Sequence, residues 1–472
     1  MAILLKVSLM RQAHLRRELG FFDSVMLIVG STIGIGIFIT TGLIAQLVPS
    51  PGGILLVWFL GGLLALAGAL SCAELGSSLP YPGGDYIYLR EAYGPLLGFL
   101  SGWSSFFVTF SGSVASLAVG FTEFMAFFVP LLKRNQILFS LEGLGFPLQL
   151  SLAPVFSISV ILMLSIIHVV GTKQGSRVQN FLTLLKTGFL LGIILLGIGL
   201  GKGSLSHFSP FVALSKITNI TALGAAFIPV IFTYAGWNAV IYLAGEVKRP
   251  SKDLPRSLLW ANLLIIFLYL AINALYLYSV PVEEMRGVVR VAEVATTALF
   301  GYQTSAWITG LIALSILGAL NGVIMTGPRI YYAMAQDRVF FDRLARVHPR
   351  FNTPSNAIIL QALWSSCLVL SGTFEALLTY VTVIIVLFSA LTVGAVLVLR
   401  VRRPELVRPY RIWGYPGVPS IFIVAHLGIA LATLWERPLE SLLGSGIVAL
   451  GIPAYFFWQN RVKREDQAGL YG

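Results

Sequence analysis

Val29-Gly30-Ser31-Thr32-Ile33-Gly34-Ile35-Gly36-Ile37-Phe38 puts glycines at 30, 34 and 36 into an apolar run, 21–47, long enough to cross a bilayer. In hydrocarbon every backbone N–H and C=O needs a partner, so a spanning helix should not carry this density of poor helix formers. Two readings fit the segment alone. Small residues let neighbouring helices pack closely, or the helix is broken where its freed backbone groups line a buried cavity and bind a solute.

The whole chain has membrane composition. Of 472 residues, 57% are hydrophobic and 11% charged, with a mean hydropathy of +0.85, against about 25% charged in soluble domains. Apolar runs of spanning length recur at about 21–46, 53–79, 96–131, 153–171, 180–201, 221–245, 256–281, 302–334, 355–371, 375–400, 417–435 and 441–458. The expected fold is an all-α integral membrane protein of twelve transmembrane helices, one transmembrane domain over 1–472.

The net charge of +12 suggests nucleic acid until its distribution is read. Alternating the loops from a cytoplasmic N-terminus places Lys6, Arg11, Arg16, Arg17, Arg90, Lys173, Arg177, the cluster 248–256, Arg329, the loop 338–350, the cluster 400–411 and 461–464 inside. Only Lys133, Arg134, Lys202, Lys216, Arg286, Arg290 and Arg437 fall outside. This bias predicts cytoplasmic termini and a lipid bilayer, not nucleic acid, as the partner of the charge. The N-terminus lacks the order of a cleaved signal peptide. Cys72 and Cys367 lie within apolar spans and are expected to be small packing residues.

The sixth span, Phe227-Ile-Pro-Val-Ile-Phe-Thr-Tyr-Ala-Gly-Trp-Asn238, is interrupted by Pro229 and Gly236. Spans one and six are matching positions of two five-helix repeats, about 21–201 and 221–400, and an odd helix number gives these opposite topology. Two further helices follow at about 417–458. Paired interruptions at corresponding positions point to a midplane site in a 5+5 inverted-repeat transporter. Gly34-Ile-Gly36 is not a dinucleotide loop: it lacks the third glycine at the required offset and a preceding short strand.

Taken together these motifs resemble the amino acid–polyamine–organocation superfamily, in its L-type amino acid transporter branch. The resemblance is carried by Gly30-Ser-Thr-Ile-Gly-Ile-Gly-Ile-Phe38, Phe232-Thr-Tyr-Ala-Gly-Trp-Asn238, Gly245-Glu-Val-Lys-Arg-Pro250 and Leu254-Pro-Arg256. It extends through Ala73-Glu-Leu75, Pro82-Gly-Gly-Asp-Tyr-Ile-Tyr88, Lys173-Gln-Gly175 with Gln179 and Lys186, Leu320-Asn-Gly322 with Arg329 and Tyr332, and Arg403-Pro-Glu-Leu-Val-Arg-Pro409. It implies a permease of the plasma (cell inner) membrane working by alternating access. Many L-type members have serine where this chain has Ile35. Animal members carry a loop cysteine that attaches a heavy-chain glycoprotein; the loop Lys133 to Ser151 has none, so no disulfide-linked heavy chain is expected.

A broken helix offers free N–H groups and a positive dipole to a carboxylate, and free carbonyls to an ammonium. The resemblance supports Ile35 and Gly36 N–H, with Gly34 giving close approach, as carboxylate ligands. Carbonyls of Thr32, Ile33, Phe232, Thr233 and Ala235 are expected near the ammonium. Phe232 is the expected gate; Gly236, Trp237 and Asn238 shape the pocket. For Asn321, pocket contact and helix–helix bonding both stay open. Relatives that accept cationic amino acids can be acidic at the position of Ala235; alanine here favours neutral substrates, because an unpaired buried cation is costly. Asp23 and Glu74 are read as too far out to reverse this, Glu123 as lying toward the outer end. Lys186, a charge within the fifth span, is a functional candidate, and the resemblance implies that its ammonium takes the place of a coupling sodium, bonding carbonyls near Gly30 to Ile33. Glu246, Arg249, Arg256 and Arg329 are candidates for an inner gate, and Asp85 to Arg90 for an amphipathic interfacial stretch.

No continuous polar pore supports a channel, no paired acids or Ser/His set an intramembrane enzyme, and no nucleotide loop a pump. No cofactor or metal is expected. Transporters of cationic amino acids, polyamines or amino acid conjugates, and a non-transporting receptor of the same fold, are the alternatives.

Overall fold

Each apolar run becomes a helix, because only helices satisfy their backbone within the segment in lipid. The computed structural model describes residues 15–133, 137–141, 148–211, 220–371, 374–436 and 438–470. Lys6, Arg11, Arg134, Lys216 and Arg437 of the charge argument lie outside these. Among the described residues ten helices are long and apolar enough to cross a membrane, and the pair Phe21–Thr32 and Gly36–Leu47, bent by 46°, makes an eleventh span. The expected ninth span is the helix Ser355–Leu370, of 16 residues. At 1.5 Å per residue it covers about 24 Å against a bilayer core of about 30 Å, so among the described residues eleven spans are of crossing length and a short apolar helix stands in the ninth position. One exception to the all-α expectation is a small antiparallel hairpin, Ile137–Leu141 with Leu148–Ser151.

The two interruptions differ. The first span stops at Thr32, turns tightly at Ile33, where Gly34 N donates to Thr32 O, and restarts at Gly36. In the sixth, Pro229 sits inside the continuous helix Ile220–Tyr234. The chain turns at Ala235–Asn238 and continues as a 3-10 helix, Ala239–Glu246. Pro229 is thus not the break; Gly236, at φ +104°, is.

The seventh span, Pro250–Ser279, packs along the second, Pro51–Ser78, and along Phe21–Thr32. The eighth, Ser305–Gln336, packs against the third, Pro95–Met125, the fifth, Thr172–Leu200, and Phe21–Thr32. Phe21–Thr32 is therefore held on three sides, and Ile28, Val29 and Ile33 are fully buried.

One end of the bundle carries most of the described arginines, and there Arg329 and Glu246 are both fully buried. Arg329 Nε and Nη2 donate to Glu246 at 2.7 and 3.1 Å, Nη2 donates to Thr172 Oγ1 at 3.0 Å, and Thr172 donates to Glu246 at 2.6 Å. Arg329 Nη1 donates to the Met325 carbonyl. This ties the fifth, sixth and eighth spans. Arg249 and Arg256, grouped with them by sequence, are not in it: Arg249 pairs with Asp253, and Arg256 is exposed. Removing one partner strands a buried charge, at about 3–5 kcal/mol. Arg329→Met should lower the melting temperature in detergent markedly, and Arg329→Met with Glu246→Leu should recover most of that loss. A single variant as stable as wild type contradicts the buried pair.

Candidate functional site

The breaks face each other because glycines let backbone approach backbone. A Cβ at Gly236 would lie 2.9 Å from the Ser31 carbonyl, and one at Gly36 would lie 2.4 Å from Thr233 Oγ1. Between them is a cavity of about 370 Å³. Its wall includes Thr32, Gly34, Ile35, Gly36, Phe232, Thr233, Ala235, Gly236, Trp237 and Asn238. Ile33 is not among the lining residues: its side chain is buried and its carbonyl turns to Lys186. Asn321 is not among them either. It is fully buried, with Oδ1 3.0 Å from His168 Nε2 and Nδ2 donating to Gln179 Oε1 at 2.7 Å, which makes it a helix–helix bond.

The freed carbonyls of the first break can be followed one by one. Val29 O accepts from Ile33 N at 2.9 Å. Gly30 O and Ile33 O each accept from Lys186 Nζ at 2.6 Å, and Lys186 is fully buried. Thr32 O accepts from Gly34 N at 2.9 Å and from the Tyr269 hydroxyl at 3.0 Å; the same hydroxyl lies 3.1 Å from Thr233 O in the sixth span. Tyr269 thus shares one proton between the two breaks. Nothing in its run of sequence marks it, because its partners are main-chain atoms of distant spans. At Gly36–Leu47 the N–H groups of Gly36 and Ile37 have no intrahelical acceptor by position, Phe38 N donates to Ile35 O at 3.0 Å, and among the described residues Ile35 N donates to no protein acceptor. These donors, at the positive end of a helix and beside the cavity, suit an anion. In the sixth span Phe232 O, Gly236 O and Asn238 O are used by local turns, and Trp237 O accepts from Asn262.

The third span supplies a wall that the sequence did not flag. Ser101, Ser104, Ser105, Thr109, Ser113 and Ser116 all line the cavity, brought round by a π-helical turn at Ser105–Thr109. Their spacing of three or four residues was the available signal. Ser104 and Ser105 donate back to carbonyls of their own helix, whereas Ser116 Oγ is buried without a partner. Two carboxylates reach the cavity. Glu123, exposed, lies near the end of the third span, as read from the sequence; Asp85 lies near the opposite, basic end. Asp85 does not belong to an interfacial stretch, since Tyr86 and Tyr88 of its helix, Asp85–Tyr93, are buried. Of the other acids, Asp23 caps its helix and accepts from Ser176 and Asn180, and Glu74 is held by Arg400. Cys72 is buried as expected; Cys367 is exposed.

A family model described as "Amino acid permease" matches residues 19–455. The serine/threonine exchanger SteT of Bacillus subtilis (strain 168) is 32% identical over 95% of this chain and 98% of its own length. The large neutral amino acids transporter small subunit 2 of Homo sapiens is 30% identical over 95% and 82%, and the human cystine/glutamate transporter 28% over 95% and 86%.

A methyl-sized addition at Gly34 meets only Ala319 Cβ, at 3.8 Å, whereas one at Gly36 collides with Thr233. Gly36→Val should reduce substrate binding at least tenfold in a scintillation proximity assay, and Gly34→Ala should leave insertion and thermal stability near wild type. Near wild-type affinity in Gly36→Val means the site lies elsewhere.

Proposed function

The chain belongs to the amino acid permease family, and on that footing we propose that this amino acid transporter moves neutral L-amino acids by alternating access, as a sodium-independent exchanger or proton symporter. The observation that carries this is the pair of facing breaks around a closed inventory of main-chain groups. Substrate carboxylate would meet the N–H groups of Ile35 and Gly36, and the ammonium the carbonyls of Phe232, Thr233 and Ala235; Phe232 O and Thr233 O each accept one protein hydrogen bond and keep a second lone pair, whereas Thr32 O already accepts two and leaves the set. Phe232, at the start of the second break, is assigned as the gate. We take spans one to five and six to ten as inverted repeats, the basic end as cytoplasmic with both termini there, and the plasma membrane as the location. The Glu246–Arg329–Thr172 cluster then serves as the inner gate.

Sodium independence rests on Lys186. An ammonium between Gly30 O and Ile33 O supplies the hydrogen bonds a coupling sodium would otherwise provide, and it repels a second cation at low dielectric. Neutral preference rests on Ala235 and the hydroxyl wall. Two of the similar proteins are named for serine/threonine exchange and for large neutral amino acid transport, which agrees. The human relative is named a small subunit; with no cysteine between Lys133 and Ser151, we take this chain to work without a disulfide-linked heavy chain. One observation favours a second reading, uptake of cationic amino acids: Glu123 and Asp85 both reach the cavity.

Uptake of labelled serine, leucine and arginine into proteoliposomes, with and without sodium and internal substrate, separates these readings. Serine or leucine should exceed arginine, sodium should change nothing, and Lys186→Ala at matched incorporation should lose at least tenfold in turnover. A sodium requirement, or full activity in Lys186→Ala, overturns the lysine assignment; better uptake of arginine selects the cationic reading. Ala235→Asp should shift preference toward arginine.

A further inference from the structure

Asp85 opens a short helix at the basic end of the cavity, and its side chain does not serve the breaks. Its Oδ2 accepts a 2.7 Å hydrogen bond from the Tyr242 hydroxyl. Its Oδ1 is shielded and has no hydrogen-bond partner, although the residue lines the cavity. The approach depends on Gly84, at φ +51°, where a Cβ would lie 2.5 Å from the Tyr242 ring. The preceding residue is bonded to the same tyrosine, Gly83 N to Tyr242 O at 3.0 Å. Tyr242 belongs to Ala239–Glu246, the half of the sixth span that also carries Glu246 of the buried pair. A carboxylate in the cavity wall is therefore latched to the segment that must move if that end is to open.

The charged and titratable neighbours leave it unneutralised. Cys72 of the second span, Tyr88 of its own helix and Tyr242 of the sixth span face it, with the Thr392 hydroxyl of the tenth alongside. The nearby arginines are engaged elsewhere: Arg90 with Asp337 and Glu91, Arg329 with Glu246, Arg400 with Glu74. Burial accordingly pushes the Asp85 carboxyl up to about 6, with the Tyr242 and Thr392 hydroxyls pulling it the other way.

We propose that Asp85 is a proton-binding site at the basic end of the substrate cavity, and that its protonation loosens the Tyr242 latch and speeds transport. This rests on the transporter reading above only for its kinetic half. The proton comes from water in the cavity and adds to Oδ1. Oδ2 then accepts from Tyr242 as part of a neutral acid, and a hydrogen bond to a neutral group is about half as strong as one to a charged group. The sixth-span segment is freed accordingly, so the rate rises as pH falls through the Asp85 pKa.

Two measurements test this on the full-length protein in liposomes. Infrared difference titration from pH 7.5 to 5 should show a protonated-carboxyl band with a midpoint near 6 that Asp85→Asn abolishes. Exchange of labelled L-serine should rise by roughly fivefold over the same range, the scale separating a charge-assisted from a neutral hydrogen bond. Asp85→Asn and Tyr242→Phe should both be fast and nearly independent of pH. Absence of the band, or its survival in Asp85→Asn, overturns the proton site while leaving the transporter reading intact. A pH profile retained in Asp85→Asn overturns the latch. A titrating band in a protein that exchanges no amino acid at any pH upholds the proton site and rejects the transporter reading.

Discussion

A helix interrupted at membrane depth exposes backbone groups that lipid cannot satisfy, and in this protein a buried lysine takes two of them. Lys186 Nζ bridges Gly30 O and Ile33 O, and Tyr269 covers Thr32 O. With those carbonyls satisfied, the end of Phe21–Thr32 is pinned to the fifth and seventh spans. The N–H groups opening Gly36–Leu47 are then the part of the break left for a solute. The interruption has two chemically distinct sides, one bonded to protein and one facing the cavity.

That division orders the rest of the molecule. The breaks in spans one and six are joined through the Tyr269 hydroxyl, by the Thr40–Thr233 hydroxyl pair at 2.9 Å and by close approach at Gly36 and Gly236, so a shift of one strains the other. At the basic end main-chain bonds from Gly83, Glu18 and Leu19 hold the sixth span, and two carboxylate contacts add to them, Arg329 on Glu246 and Asp85 on Tyr242. The first is a fully buried ion pair closed by Thr172. The second involves a carboxylate that reaches the cavity, which makes it the contact a change in the cavity can alter.

Much of this was legible in the sequence. Glycine density inside an apolar run, with a second interruption far along the chain, pointed to the first break, the cost of a charge in hydrocarbon singled out Lys186, and the family resemblance joined the two. What escaped depended on distance along the chain. Tyr269 works through main-chain oxygens of spans one and six, which carry no side-chain signal. Asp85 was placed at an interface because its neighbours Tyr86, Tyr88 and Arg90 alternate like a surface helix; in the fold Tyr86 and Tyr88 are buried and Arg90 is engaged with Asp337. Pro229 drew attention to the wrong point of the sixth span: the helix accommodates it, and the chain turns at Gly236, whose positive φ favours glycine. Asn321 was left open between two roles by its position on the eighth span, and its bonds to His168 and Gln179 make it a helix–helix contact.

The central claim is that the N–H groups of Ile35 and Gly36 receive the substrate while Lys186 secures the other side of the break. Hydrogen exchange at residues 29–38, in wild type and Lys186→Met with and without a saturating neutral amino acid, tests it directly. The account predicts substrate-induced protection at 35 and 36 in wild type. It also predicts faster exchange at 29–33, with loss of that protection, in Lys186→Met. Exchange at 35 and 36 that ignores substrate, or a break equally protected without the lysine, would contradict it.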